Sequence, residues 1–285
     1  MALKNKSLRA SAPLRGENEN LNEPPLISIV LPSFQQAPFL EEAVRSVLDQ
    51  KFAEVELLVM DPGSTDGSRP LLRALQEEYG ERLVLHFEPD KGQSDAINRG
   101  FGKARGQILS WLNSDDRLRP GALQRAVSHL SGPEPCWMYG RCGIVDERGR
   151  PISPGIVWYK NLRGRRFSIY KLLTENFIPQ MATFWNRAIW DRAGGIDRNR
   201  HLDMDYDLFL KFAKIAAPRV FTESFADYRV HRDAKSSLQT RDLMHEAYLT
   251  AREHAAGLGW RGSRSLVLHR IYALRTWIIY RLIKP

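Results

Sequence analysis

GQILSWLNSDDRLRP, residues 106–120, decides how this chain is read. A short apolar run from Ile108 to Leu112 stops at two adjacent carboxylates, Asp115 and Asp116, and a turn bounded by Pro120. Like charges side by side repel. Taken alone, the pair is well served by a solvated turn in which one Asp caps the helix that begins near Pro120. The other reading is a hard divalent cation, Mg2+ or Mn2+, held between carboxylate and diphosphate oxygens. The segments upstream choose between them.

PLISIVLPSF (25–34) carries an apolar, β-branched run from Leu26 to Leu31 that ends at proline, the pattern of a buried strand. APFLEEAVRSVLDQ (37–50) places Phe39, Leu40, Ala43, Val44, Val47 and Leu48 at helical spacing. A second buried strand is expected from Val55 to Met60, then a turn and a helix with Ser68 as N-cap and Pro70 in its first turn. RLVLHFEP (82–89) reads as a third strand. SDAINRGFGKARG (94–106) reads as a third helix capped by Ser94 and closed by Gly106, and QILSWLN (107–113) as a fourth strand. Strands alternating with helices predict an α/β fold with a mostly parallel, Rossmann-like sheet and flanking helices. Such sheets bind ligands beyond the carboxyl ends of their strands. Those ends are Pro32-Ser33-Phe34, Asp61-Pro62-Gly63, Glu88-Pro89-Asp90 and Asn113 to Asp116, and three of the four carry carboxylates. Past residue 120 the pattern loosens. CWMYGRCGIVD (136–146) reads as strand, LDMDYDLFLKFAKIA (202–216) as helix, and 247–258 and 265–283 as two terminal helices.

Composition bounds the function. The 285 residues are 43% hydrophobic and 26% charged, as in ordinary globular chains. The net charge of +9 suits a phosphorylated substrate, an anionic lipid or nucleic acid. The basic residues are scattered, without an aromatic-interleaved basic stretch, so no nucleic-acid partner is expected. The two cysteines, Cys136 and Cys142, form no CxxC pair, which argues against zinc and for a reducing compartment. Residues 1–25 are polar, lack an apolar secretory core and read as a flexible tail. No apolar run is long enough to span a bilayer, so a cytoplasmic location is expected.

Beyond the runs already quoted, VELLVMDPGSTDGS (55–68), DKGQSDAINRGF (90–101), PQMATFWNRAIWDRAGGID (179–197) and MDYDLFLKFA (204–213) occur in this order. Together they resemble the family 2 glycosyltransferases, with the A-type glycosyltransferase fold, over residues 26–232. The resemblance implies an inverting enzyme that moves a sugar from a nucleotide-diphosphate donor, UDP favoured, to a hydroxyl of a saccharide or lipid-linked acceptor. It implies a role in polysaccharide or glycolipid biosynthesis. It assigns Asp61 to the nucleotide base, Asp116 to the metal and Asp115 to the ribose or donor sugar. It makes Asp205 the general base, and His231, in YRVHRDAKSS (228–237), a further metal or donor-phosphate contact. Pro32, Ser33, Gly63, Lys91, Asp95 and Asn98 complete the expected donor-binding set. The cofactor implied is Mn2+ or Mg2+.

The chain departs from the family pattern at Pro62, where a second Asp is common, at Asn113, the first position of the DxD-like motif, and at Ile97, where Arg is common. These departures keep a non-catalytic nucleotide-binding module of the same fold as the alternative. A sugar-phosphate nucleotidyltransferase is less favoured, because PSFQQAPF (32–39) lacks the expected glycines. The C-terminal extension, 233–285, carries a stripe of Val267, Ile271, Leu274 and Ile278 with Arg270, Arg281 and Lys284 elsewhere on the wheel. That stripe suits either packing on the domain or peripheral contact with the inner, anionic face of a membrane.

Overall fold

A computed structural model describes residues 26–232, apart from 51 and 53, and residues 240–283, with side chains in the last helix described as far as Arg275. The expected tail, 1–25, and the side chain of Ile278 lie outside the described residues.

The first half follows the alternation read from the sequence: β1 (Ile27–Pro32), α1 (Ala37–Leu48), β2 (Val55–Met60), α2 (Ser68–Tyr79), β3 (Leu83–His86), α3 (Gln93–Lys103) and β4 (Ile108–Trp111). The second half runs β5 (Arg117–Leu118), α4 (Ala122–Leu130), β6 (Trp137–Val145), α5 (Pro154–Gly164), α6 (Ile169–Thr174), β7 (Thr183–Asn186), α7 (Arg187–Ala193), α8 (Met204–Ile215), β8 (Arg219–Arg229), α9 (Thr240–Ala255) and α10 (Gly259–Ile283). One eight-stranded sheet has the order β3-β2-β1-β4-β7-β6-β8-β5. β3, β2, β1 and β4 are parallel. β7 then joins antiparallel to both β4 and β6, β8 lies parallel to β6, and β5 closes antiparallel on β8.

β1 shows why this sheet is sandwiched. All six of its residues are buried, as a strand covered on both faces requires. Its alternate side chains enter different cores. Ile29 and Leu31 join α1, α2 and α4 on one face. Val30 joins α3, α6, α7 and α8 on the other. α3 sits so close to β1 that a Cβ on Gly100 would come within 2.5 Å of Val30, so only glycine fits there.

Two expected caps are corrected. Gly67 and Gly92, at φ 99° and 107°, precede α2 and α3 in the places given to Ser68 and Ser94. Ser94 lies inside α3, and its hydroxyl donates to the Arg200 carbonyl at 2.6 Å. The C-terminal helices pack on the rest of the fold: α9 against α6 and α8, α10 against α6 and α9. Ala251 and Ala255 of α9 belong to the core on the α3 face.

Candidate functional site

The strand order reverses direction at β1, between β2 and β4, which opens a crevice at the carboxyl ends of the parallel strands. A cavity of about 780 Å3 lies there. Every one of the four strand ends contributes: Pro32, Ser33 and Phe34 after β1; Met60 and Pro62 at β2; Asp90, Gly92 and Gln93 after β3; Asn113, Ser114 and Asp115 after β4. Gln180 and Met181, before β7, and Met204 and Asp205, at the start of α8, close the other side.

The loops after β1 and β2 brace one another. The Gln35 N–H donates to Ser64 Oγ at 2.9 Å, and the Ala37 N–H, at the start of α1, donates to Asp66 Oδ2 at 2.8 Å. Asp61, fully buried at the end of β2, accepts the N–H groups of Gly63 and Ser64 at 2.9 and 2.8 Å and Arg69 Nε at 3.1 Å, all on Oδ1. Its Oδ2 has no partner among the described residues, and neither has the buried Ser33 hydroxyl on the cavity wall. A buried acceptor with nothing to accept is costly; Ser33 lies on the cavity wall, and Asp61 lies behind it.

The two carboxylates after β4 separate. Asp115 faces the cavity and meets His231 Nε2 at 3.0 Å through Oδ2. His231 is itself buried and packs on Phe39, ring centroids 4.8 Å apart. Asp116 is 1% exposed and does not line the cavity. Its Oδ1 accepts the Arg229 N–H at 2.9 Å and its Oδ2 accepts Asn113 Nδ2 at 3.2 Å. Burial, reinforced by the neighbouring Asp115, holds its carboxyl well above the usual range. Asp116, the expected metal ligand, stands behind the cavity wall: its oxygens anchor the loop, and Asp115 is the carboxylate that reaches the cavity. Arg229, also 1% exposed, clamps the same loop. Its Nε donates to the Asp115 carbonyl at 2.8 Å, its Nη1 to the carbonyls of Asp146 and Glu147 at 3.1 Å each, and its Nη2 pairs with Glu42.

Asp115 and His231 form a two-residue donor set. Among the described residues no group of three or more His, Cys, Asp or Glu side chains is placed to hold a metal. The Asp115 carboxylate suits a hard cation that takes its remaining ligands from phosphate and water, and the His231 imidazole is the softer donor of the two.

At the start of α8, Asp205 faces one way, while Asp203 and Asp207, four residues apart, share another face. Asp205 lines the cavity. Its Oδ1 accepts the Tyr206 N–H at 2.8 Å and its Oδ2 accepts Asn176 Nδ2 at 3.3 Å. Burial, against the Tyr206 hydrogen bond, raises its pKa to about 6. Asp203 bonds the Thr250 hydroxyl, and Asp207 pairs with His254 Nε2 and Lys211 Nζ at 2.8 Å each. Both are buried and hold α8 to α9 or to its own next turn.

Three expected donor contacts fall elsewhere. Asp95 pairs with Arg198 Nε at 3.0 Å and accepts the Lys91 N–H at 3.2 Å. Asn98 exchanges two hydrogen bonds with the Ile196 backbone, at 2.8 and 3.1 Å. Neither lines the cavity, and nor does Lys91. Asp95 and Asn98 fasten α3 to the 195–198 loop. Their neighbour Gln93 takes the cavity position instead, with Nε2 donating to Asn113 Oδ1 at 2.9 Å. Gln180, whose Nε2 donates to the Trp111 carbonyl at 2.7 Å, was not foreseen as a site residue, although the PQMATF run that contains it was singled out.

The glycosyl transferase family 2 model matches residues 28–192, which is more than half of the chain. An uncharacterized glycosyltransferase of Nostoc is 27% identical over 209 residues, covering 72% of this chain and 65% of that protein. Chondroitin synthase of Escherichia coli is 27% identical over 233 residues, covering 81% of this chain and 32% of the synthase. The chain thus spans less than two thirds of either relative. Among solved structures, the mannosyltransferase PcManGT of Pyrobaculum calidifontis, in complex with GDP-Man and Mn2+, superposes with TM-score 0.63 at 19% identity, over 90% of this chain and 75% of that one. S. aureus TarS 1-349 with UDP-GlcNAc gives TM-score 0.63 at 14% identity, over 85% and 70% of the two chains. The fold is that of these glycosyltransferases, and the chain belongs to glycosyl transferase family 2.

Proposed function

We propose that this protein transfers a sugar, with inversion, from a nucleotide-diphosphate donor to an acceptor hydroxyl in the cavity at the carboxyl ends of β1–β4. The observation that carries the reading is that Asp115, backed by His231, and Asp205, with its raised pKa, line one cavity. One is suited to the leaving diphosphate and the other to the incoming hydroxyl.

Asp61 recognises the base. Its unpartnered Oδ2 accepts a base N–H, and the imide N–H of uracil is such a donor, which favours UDP. Ser33 Oγ supplies a further polar contact to the nucleotide, and Gln93 and Asn113 hold the wall beside it. Asp115 and His231 would hold Mn2+ or Mg2+, and an ion there would neutralise charge on the leaving diphosphate. Asp116 keeps Asp115 in place through the Arg229 N–H and Asn113. Asp205 accepts the proton of the acceptor hydroxyl as that oxygen bonds to the anomeric carbon, while the bond from that carbon to the diphosphate oxygen breaks on the opposite face and the diphosphate leaves with the electron pair. A pKa of about 6 leaves it ionised at neutral pH yet basic enough to take the proton. The acceptor is a saccharide, free or carried on a lipid. A purely binding module has no use for a carboxylate held against its burial cost at this wall, which favours the enzyme.

Calorimetric titration of UDP, with and without Mn2+, into the wild type, Asp115→Ala and Asp116→Asn tests the assignment. Binding that needs the ion, is lost in Asp115→Ala and survives in Asp116→Asn is the expected result. Equal loss in both variants would return the metal role to the pair. No binding of UDP, GDP or dTDP would overturn the donor reading.

A further inference from the structure

α10 is turned inside out relative to an ordinary surface helix. Its inward face buries Ser265 and His269, while Trp260, Val267, Ile271 and Leu274 stand outward, 56–71% exposed. The four outward residues fall seven, four and three positions apart, so they form one stripe along the helix. α5 adds Trp158, 66% exposed, and Leu162, 46% exposed. The two helices touch: Arg275 Nη2 donates to Tyr159 Oη at 3.0 Å, and the Arg163 guanidinium lies 5.2 Å from the centre of the Tyr272 ring.

The charge around these apolar residues has one sign. From residue 254 to the end of the chain there is no Asp or Glu, against five Arg and one Lys. From 148 to 174, the stretch that contains α5, there is again no acid, against five Arg and two Lys. Glu175, a carboxylate bonded to both helices, is neutralised by Arg163 at 3.4 Å and Arg275 at 3.3 Å. Arg150, Arg163 and Arg275 are paired with Asp146 or Glu175, which leaves Lys160, Arg165, Arg166 and Arg264 exposed. Exposed tryptophans and aliphatics among exposed cations are what an anionic lipid surface attracts: the apolar groups enter the acyl boundary, and the cations meet phosphate headgroups. Among the described residues no helix is long and apolar enough to cross a membrane, so the contact lies in the interface.

We propose that the outward faces of α10 and α5 form one docking surface for an anionic lipid bilayer. The proposal stands apart from the donor reading, because the surface consists of residues that do not line the cavity.

The test is co-sedimentation of the full chain with vesicles of phosphatidylcholine mixed with phosphatidylglycerol, against phosphatidylcholine alone. The wild type, Ile271→Glu/Leu274→Glu and Trp158→Ser are compared without donor. The wild type is expected to partition onto the anionic vesicles, less so as salt is raised, and not onto phosphatidylcholine. The double variant is expected to lose at least roughly tenfold in partition, since it removes apolar area and adds two negative charges. The single variant is expected to lose less. Because the altered side chains are exposed, the three proteins are expected to unfold at the same urea concentration, and urea denaturation of the same preparations reports folding independently. No partition of the wild type, equal partition onto both lipids, or equal partition of all three proteins overturns the proposal. So does a concentration-dependent dimer that the double variant abolishes, which would assign the face to a second copy of this chain.

Discussion

In the loop after β4, Asp115 meets the cavity while Asp116 is buried behind it. In the first turn of α8, Asp205 meets the cavity while Asp203 and Asp207 are buried behind it. The two regions hold their hidden carboxylates differently. Asp116 is satisfied by a backbone N–H and an amide, and its carboxyl is pushed well up. Burial also opposes the charge on Asp207, but His254, Lys211 and Arg200 outweigh it and leave its pKa below the usual range. Neutral donors can fix a carboxylate's position without committing it to a charge, whereas cations commit it. On the proposed reading, the loop bears on donor binding, and the helix start on both chemistry and stability.

The largest contrast expected within the helix start is between Asp205 and its neighbours. Asp205→Asn should lower kcat by roughly 10²–10⁴-fold, the range for loss of a general base. UDP titration should be unchanged. If the variant keeps more than a tenth of wild-type turnover, the base lies elsewhere and the comparison with Asp115 fails.

Asp207 should dominate stability. Asp207→Ala strands the buried ends of Lys211, Arg200 and His254, and breaking such a pair from one side costs about 3–5 kcal/mol. Urea denaturation at neutral pH measures it. The sign with pH follows from the depressed pKa: the stabilisation is present above the unfolded-state pKa and is lost as pH falls through the lower folded-state value. A wild type as weak as the variant at neutral pH would show that the cations contribute nothing there.

Within the loop, Arg229→Lys should sharpen the division between Asp115 and Asp116. Lysine keeps the backbone N–H to Asp116 but cannot span the Asp115, Asp146 and Glu147 carbonyls together. Metal affinity in the UDP complex should fall about tenfold, the lower range for a group that orients a ligand, while Asp205-dependent pH behaviour is unaltered. An unchanged Mn2+ titration would mean the loop holds Asp115 without the clamp.

How far the sequence could be read differs between the same two regions and their surroundings. β1 to β4 were legible because each is a short apolar run closed by Pro, Asp or Asn, and a strand covered on both faces needs nothing else. β7 was missed because Thr183–Asn186 is only four residues long, inserted antiparallel between β4 and β6 where no local signal marks it. β8 was missed because its first half carries Arg219, Glu223 and other exposed residues at a sheet margin. On the cavity wall, Ser33, Asp115 and Asp205 could be named from strand ends and motif positions. That Asp116 turns away from the cavity could not be read, because Asp116 is claimed by the N–H of a residue 113 positions away. For the same reason Asp95 and Asn98 looked like donor ligands: their partners, Arg198 and Ile196, lie about a hundred residues downstream in a loop with no strong pattern. Local sequence finds the residues near a cavity, and long-range partners decide which of them enter it.

The smallest expected effect is a gain in stability where activity is lost. A carboxyl with a pKa of about 6 in the folded protein, against 3.8 unperturbed, binds its proton more tightly folded than unfolded. Folding is then opposed as pH rises: the penalty is absent below about pH 4, grows between the two pKa values and is complete above the folded value. Asp205→Asn removes the titrating group, so the variant should be more stable than the wild type at pH 8 by about 1–3 kcal/mol. The difference should close at pH 4. Paired urea denaturation curves at the two pH values read it directly. The contrast with Asp207, whose removal destabilises at neutral pH, then comes from one turn of one helix. On the proposed reading, the cavity-facing carboxylate carries a folding cost for its chemistry, while the core-facing one secures the fold. If Asp205→Asn proved no more stable at pH 8 than at pH 4, relative to wild type, the carboxylate would not be strained by its burial, and its fitness as a base would need another source.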